Sequence, residues 1–472
     1  MQDTKKCDES RQLHYEGCLQ EVRVEPGDIV GARSISSTSE EGRNGGNEYS
    51  SGLLEKILHR DNMNNAYRRV KENKGSHGVD GMSVNELLPY LKQNGNQIRQ
   101  FILEGTYNPQ PVRRVEIPKP SGGKRLLGIP TVVDRVIQQA IAQVLSPIYE
   151  RQFSELSYGF RPGKSAKQAV LKCKEYIEAG YKWTVDIDLA KYFDTVNHSK
   201  LMRLLSATIR DSRVLSLIGK YLKSGVMING VIEGTEEGCP QGGNLSPLLS
   251  NIMLNELDIE LTKRGLNFCR YADDANIYAK SKKAAERVMG SITKFLEQEL
   301  RLKVNQEKSA VGRPWKQKFL GFSFYAKKGG VRIRVHPASL KKFKEKLKEI
   351  TGRSNAMSME QRAEKLRQCI VGWVNYFGMA DMKVMAKELD EWLRRRIRMC
   401  FWKQWKKICT KHDNLVKLGM GKQKAWEYSN TRKSYWHSAN SPILNRTLTK
   451  EHLRKIGFVT VAERYSLAHL SC

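Results

Sequence analysis

Four aspartates stand at spacings that could support chemistry on a phosphate: Asp186 and Asp188, and the adjacent pair Asp273 and Asp274. The first pair lies in Trp183-Thr184-Val185-Asp186-Ile187-Asp188-Leu189, which reads as a strand. Strand side chains alternate with period two, so Asp186 and Asp188 share a face. Two carboxylates near the end of a buried strand are costly unless paired or metal-bound. The second pair lies in Phe268-Cys269-Arg270-Tyr271-Ala272-Asp273-Asp274-Ala275-Asn276-Ile277-Tyr278, read as two short strands joined by a tight turn of two aspartates. Hairpin turns favour Asn-Gly or Asp-Gly, because their central residues must tolerate positive φ. Asp-Asp is poorer turn chemistry and sets like charges side by side. An ordinary exposed acidic turn accounts for the pair; so does a hard divalent cation, which turns that repulsion into attraction.

Other residues could serve the same chemistry. Pro118-Lys119-Pro120-Ser121-Gly122-Gly123-Lys124-Arg125 is a basic, glycine-rich turn between strand-like segments. It is either a solvated hairpin tip or a phosphate clamp using Lys119, Arg125 and backbone N–H groups. Pro240-Gln241-Gly242-Gly243-Asn244-Leu245-Ser246-Pro247 holds Gln241 among glycines that would let the backbone approach a base pair; the plain alternative is a loop before a buried helix. Arg394, Arg395, Arg396, Arg398, Lys403, Lys406 and Lys407 surround a helix carrying Trp402 and Trp405. Charge runs are usually solvated faces, yet tryptophans interleaved with this many cations favour nucleic-acid contact.

Composition points the same way. The chain has 81 Lys+Arg against 50 Asp+Glu, a net charge of +31, which calls for a polyanionic partner. No segment approaches the roughly 18 apolar residues of a membrane span. The N-terminus has no apolar signal core, and its acids argue against a transit peptide, so a bacterial-type cytoplasm is expected. The nine cysteines are scattered without a Cys-x-x-Cys pair, which indicates neither a disulfide framework nor a zinc finger.

The elements that must position these residues can be read in order. Residues 1–48 hold six basic and ten acidic residues with no hydrophobic period, and are expected to be disordered. Helices are predicted from Leu53 to Val70, Val132 to Leu145, after an N-capping Ser165, near Asn197 to Leu205, Leu248 to Leu261 and Lys283 to Glu299. Asn229-Gly230 and Lys328-Gly329-Gly330 mark hairpins. Beyond Pro337 come three helical faces, the third running from Met385 to Ile408, and then a short basic appendage from about Lys411. Between Arg313 and Lys433 there are 31 basic and 10 acidic residues.

Taken together, a phosphate clamp, strand carboxylates, a glycine-flanked Gln, a double-Asp hairpin and a basic bundle suit one chemistry. Phosphoryl transfer to a polynucleotide 3′-OH uses two metal ions bridged by carboxylates, with basic residues holding the triphosphate. At this point the chain resembles the reverse transcriptases encoded by bacterial and organellar group II introns, the intron maturases. Tyr271-Ala272-Asp273-Asp274 matches their signature. Further blocks stand in register: Ile117-Pro118-Lys119 with Lys124-Arg125-Leu126-Leu127-Gly128-Ile129-Pro130, Tyr158-Gly159-Phe160-Arg161-Pro162 and Asp188-Leu189-Ala190-Lys191-Tyr192-Phe193-Asp194. The Gln241 loop, Asn305-Gln306-Glu307-Lys308, Phe319-Leu320-Gly321-Phe322 and Gly372-Trp373-Val374-Asn375-Tyr376-Phe377 continue the series, and the likeness spans about residues 55–465.

The resemblance implies an α+β right-hand polymerase in which interleaved fingers and palm, with an antiparallel palm sheet, precede an α-helical thumb or maturase domain. The implied boundaries are fingers 49–182, palm 183–330, thumb 331–410 and a short basic segment 411–472 without an HNH endonuclease domain. Asp188, Asp273 and Asp274 are the implied ligands of two Mg²⁺ ions, with Mn²⁺ as substitute. Lys119 and Arg125 would meet the triphosphate, Gln241 the incoming pair, and Lys308 a nearby phosphate, while Phe193 would gate against ribose. The implied partners are intron RNA, an RNA template with DNA primer, a DNA target and dNTPs, with no membrane. Rival readings are a retron-like, diversity-generating or CRISPR-associated reverse transcriptase, and an inactive RNA-binding splicing factor.

Overall fold

The computed structural model describes residues 52–118, 123–228 and 230–470, so the acidic extension 1–48 lies outside them. Two compact units meet in sequence at Gln317 and Lys318.

In the first unit, α1 (Leu53–Ile57), α2 (Arg60–Asn73) and α3 (Leu87–Leu103) precede strands β1 (Val112–Pro118) and β2 (Lys124–Ile129). Helices α4 (Val132–Glu150) and α5 (Ala166–Glu178) follow, then β3 (Trp183–Ile187). The predicted Ser165 cap is present as a full capping box with Gln168. Helices α6 (His198–Thr208) and α7 (Ser212–Lys223) lead to the hairpin of β4 (Val226–Ile228) and β5 (Val231–Glu233). Next come α8 (Ser246–Lys263), β6 (Asn267–Tyr271), β7 (Asp274–Ala279), α9 (Lys282–Lys294) and β8 (Ala310–Gly312).

These strands make two four-stranded sheets. One, ordered β2-β1-β4-β5, is mixed, because β4 joins β1 in parallel while the other pairs are antiparallel. The other, β6-β7-β3-β8, is antiparallel throughout. Helix α8 is apolar on nearly every side and therefore buried, with Met253, Leu254 and Leu261 fully enclosed. It packs against α4, α6 and β6, which makes it the post behind the second sheet.

The second unit opens with the hairpin of β9 (Phe322–Lys327) and β10 (Gly330–Val335), where Gly329 and Gly330 take φ of 96° and 126°. The three basic helices are α10 (Pro337–Ile350), α11 (Met359–Phe377) and α12 (Lys383–Gln404). Phe343 stacks on Trp373 with ring centroids 4.1 Å apart, and Phe377 packs on Phe322 at 5.0 Å. Ile408, expected on the α12 face, instead begins α13 (Ile408–Lys417) and is exposed, because the helix has already ended at Gln404.

The remaining helices are α14 (Lys422–Ser429), α15 (Tyr435–Ser438), α16 (Pro442–Thr447), α17 (Lys450–Lys455) and α18 (Val461–Leu470). Helix α18 packs on α11 and α12, and the buried Asp390 carboxylate accepts from Val461 N at 2.7 Å and Ala462 N at 2.9 Å. A carboxylate at a helix N-terminus satisfies donors that the helix itself cannot.

Candidate active site

The second sheet brings the four aspartates to one end. Antiparallel pairing sets Asp186 opposite Asn276 and Ile187 opposite Ala275, so Asp188, one residue further on, comes level with Asp274. The backbone of Asp188 is pinned: its N–H donates to Ser309 Oγ at 3.0 Å, and its carbonyl accepts from Asn305 N at 2.8 Å. The segment Asn305-Gln306-Glu307-Lys308 thus positions the acid through main-chain bonds. Lys308, expected to meet a nucleotide phosphate, places Nζ 3.4 Å from Asp188 Oδ2.

The turn differs from the sequence reading. Tyr271 pairs with Asp274 across the hairpin, so the central residues are Ala272 and Asp273, and Asp274 is the first residue of β7. Only the first central position carries the positive φ: Ala272 sits at 56°, so neither aspartate bears the backbone strain.

That strained alanine is held from behind. Arg270 is wholly buried, with Nη1 donating to the Ala272 carbonyl at 2.9 Å and to Asn251 Oδ1 at 3.0 Å. Its Nε and Nη2 form a fork on Asp258, at 2.8 and 2.5 Å, and Asp258 is itself 0% exposed. Burial pushes the Asp258 carboxyl up, and the Arg270 guanidinium pulls it back. Asn251 also donates to the Gly159 carbonyl at 2.9 Å. Gly159 lies so close to the turn that a Cβ there would stand 2.3 Å from Ala272 N. The block Tyr158-Gly159-Phe160-Arg161 is therefore a rest for the turn, fixed by Tyr158 N to Arg270 O at 2.8 Å.

Asn251, Asp258, Arg270, Gly159 and Ser309 were absent from the predicted site. A signal existed: Asn251, Asn255 and Asp258 recur at helical spacing on an otherwise apolar α8, which marks one polar face in a buried helix.

The acids repel one another. Burial raises Asp186 to about 7, with further contributions from Asp274 and Asp188. Asp273 is also raised, by burial and by Asp188, against the opposing charges of Arg125 and Arg270. Arg125 on β2 is thus brought to the acids. Its neighbour in the clamp, Lys119, lies outside the described residues.

The raised Asp186 carboxyl has a definite sign. Below about pH 4 it is protonated in both states and has no effect; as pH rises through 7 the unfolded chain releases the proton first, and stability falls. In EDTA, Asp186→Asn should therefore be more stable than wild type, by a margin that grows to a few kcal/mol between about pH 4 and 7. Urea melts across that range would read it, and a constant margin would refute it.

The remaining candidates fall in two groups. Gly128 N donates to the Gln241 carbonyl at 2.9 Å, and Cys239 N donates to the Phe193 carbonyl at 2.7 Å, so β2, the glycine loop and Phe193 are tied in series. The cationic cluster of α12, expected to contact nucleic acid, is engaged in part within its own unit. Trp402 and Trp405 are only 2% and 8% exposed. Arg395 lies 4.0 Å over Trp436 and donates to its carbonyl, Arg396 bonds Thr351 and the Lys348 carbonyl, and Arg398 bonds Asn445 and the Leu448 carbonyl. Lys403 lies 5.1 Å over the Tyr435 ring; Arg394 is half-buried, and Lys406 and Lys407 are exposed.

Residues 117–324 match the family model for reverse transcriptase (RNA-dependent DNA polymerase), and residues 340–419 match that for the group II intron maturase-specific domain. Protein YkfC of Escherichia coli (strain K12) is 36% identical over 299 residues, covering 55% of this chain and 78% of YkfC. The chain belongs to the group II intron reverse transcriptase and maturase family. The group II intron-encoded protein LtrA of Lactococcus lactis subsp. cremoris is 39% identical over 206 residues, 43% of this chain and 34% of LtrA. The putative COX1/OXI3 intron 2 protein of Saccharomyces cerevisiae is 36% identical over 197 residues, 41% of this chain and 22% of its own length. The chain thus spans about a third of LtrA and about a fifth of the yeast protein. A chain of a partial Cas6-RT-Cas1–Cas2 complex aligns over 52% of this chain and 43% of its own at 23% identity, with a TM-score of 0.34, too loose to bear on function.

The reverse transcriptase match contains all four aspartates with Arg125, Phe193, Gln241 and Lys308, while the maturase match begins within α10 and contains α11 and α12. A polymerase family implies divalent metal. No group of three His, Cys, Asp or Glu among the described residues is gathered closely enough to hold an ion. The donor set still fits: carboxylates raised by burial and, in smaller part, by one another, as Asp186 and Asp273 are, are what a hard cation relieves. No helix among the described residues is long and apolar enough to cross a membrane.

Proposed function

We propose that this chain is an RNA-directed DNA polymerase that extends a DNA 3′-OH on an RNA template. As a maturase it would also bind its intron RNA, assisting splicing and insertion into a DNA target. The observation that carries the reading is the convergence of Asp188, Asp273 and Asp274 at one end of the second sheet, with Arg125 close enough to act on Asp273. The maturase-specific match favours this over the retron-like, diversity-generating and CRISPR-associated alternatives.

In this reading Asp188, Asp273 and Asp274 hold two Mg²⁺ ions, or Mn²⁺ in their place. The chemistry supplied by the bound ions is activation of the 3′-hydroxyl and stabilisation of the transferring phosphoryl charge. Arg125 and Lys119 hold the triphosphate, Gln241 supports the incoming pair, and Lys308 exchanges Asp188 for a phosphate oxygen. The right-hand arrangement assigns fingers to residues 49–182, palm to 183–330 and thumb to 331–410. The exposed cations of α12 and the tail, Lys406 and Lys407 among them, contact nucleic-acid phosphates. A bacterial cytoplasm suits such a partner set.

Extension of a DNA primer on an RNA template with Mg²⁺ and dNTPs tests the polymerase reading. RNA binding without extension would replace it with an inactive splicing factor. The same assay tests Phe193, whose ring is half-buried against Tyr192 at 5.2 Å and whose backbone is fixed by Cys239. Phe193→Val should raise rNTP incorporation relative to dNTP by about tenfold or more, since discrimination by a steric fit of one hydroxyl is worth on the order of 10–200-fold. An unchanged ratio would remove Phe193 from the pocket.

A further inference from the structure

The ring of Phe160 has no role in anything described so far, and the residue's conformation is costly. It holds φ at 58°, a region that non-glycine residues avoid, and its side chain is 44% exposed. Both neighbours are fixed. Gly159 is wedged against the turn and held by Asn251, while Arg161 is buried, forking onto Glu150 at 2.7–3.2 Å and donating to the Ser157 carbonyl at 2.7 Å. The anchors explain the backbone bend. They do not explain the ring, because glycine would adopt the same bend with less strain. A large apolar side chain kept in a strained backbone position and nearly half exposed is unexplained by the packing of this chain.

The ring stands 6.5 Å from that of Tyr271, the residue that leads into the Ala272-Asp273 turn. The two form an aromatic step beside the carboxylates. Arg125, Gln241 and Phe193 belong to the other tied series, β2 to glycine loop to Phe193, where the function proposed above puts the incoming nucleotide. Phe160 is carried instead by the segment bonded to β6. What remains to be held next to the acids is the strand that supplies the hydroxyl.

We infer that Phe160, with Tyr271, forms an apolar surface for the sugar and base of the 3′-terminal primer nucleotide. Phe160 is thus a binding residue for the primer end. Aromatic faces suit this task because every nucleotide presents an apolar face whatever its sequence. The inference rests on the polymerase reading above.

The test is equilibrium binding of a fluorescent, dideoxy-terminated DNA primer on an RNA template, alongside steady-state extension and thermal melting. Phe160→Gly should weaken primer–template binding by roughly tenfold while leaving the dNTP KM unchanged. Its melting temperature should hold or rise, since the strained φ is relieved. Phe160→Tyr should bind as wild type does. Unchanged binding by Phe160→Gly, or a fall in its melting temperature in step with its affinity, overturns the inference and leaves the ring a structural one. A wild-type protein that binds the duplex but fails to extend a normal primer overturns the polymerase reading instead.

Discussion

Replacement of Asp188 by alanine is expected to lower primer extension by at least about 10³-fold while leaving the fold intact. The size follows from removing a proposed ligand of the ions that would stabilise the transferring phosphoryl charge, where loss of a single stabilising group already costs about 10²–10³-fold. The intact fold follows from how Asp188 is held. Its structural bonds, to Ser309 and Asn305, run through its main chain, and among the described residues its carboxylate pairs with the flexible Lys308. Loss of that carboxylate also removes one of the charges that raise Asp186 and Asp273, so the variant should be no less stable than wild type. The Asp186 carboxyl should move back towards its ordinary value, which carboxyl-region NMR would follow. RNA binding, which we propose other residues carry, should stay within about twofold of wild type. Undiminished extension would dismiss Asp188 from the site; a collapsed fold would dismiss this account of how it is held.

A second large effect concerns groups that touch no substrate. Asp258→Ala leaves the Arg270 guanidinium buried at 0% exposure with its main counter-charge gone. Breaking a buried pair in this way costs about 3–5 kcal/mol, a large share of a domain's stability. The double replacement Asp258→Leu with Arg270→Met should recover most of that loss, because apolar residues of similar volume often substitute for a buried pair. It should not recover extension, since the Ala272 carbonyl would still lack its donor and the turn its brace. Urea melts and primer extension on the same three proteins separate the outcomes. A double variant that is stable and fully active would show that the brace serves folding alone.

Much of the first unit was readable because its signals are local. The Ser165 cap, the pairing of β4 with β5 and the alternation through Trp183 to Leu189 each depend on neighbours in sequence, though Asn229 itself lies outside the described residues. Helix α3 escaped because Pro89 and Gly95 interrupt it and few of its residues are buried, and α7 was likewise not anticipated. The double-Asp turn was placed one residue late. The positive φ was assigned to aspartates, which tolerate it, whereas tertiary bonds from Arg270 impose it on Ala272.

Charge is harder to read in the other unit. A run of arginines around tryptophans reads as a surface, yet Arg395, Arg396 and Arg398 reach carbonyls and rings of their own chain. A guanidinium can cap a helix end or stack on an indole as readily as it binds phosphate, and sequence does not distinguish the two. Arg270 and Asp258 hid for a related reason. They lie twelve residues apart on different elements, and only the fold brings them to 2.5 Å.

The brace from Arg270 to the Ala272 carbonyl has one more consequence, for how this enzyme can change. A catalytic loop on the surface can be altered piecemeal; this turn is soldered to the innermost ion pair of its unit. Heat inactivation and global unfolding should therefore coincide, with no earlier softening of the site. Selection for a new template or nucleotide would find little freedom at residues 270–274 and would have to work at the rim, through positions such as Phe160, Phe193 and Gln241.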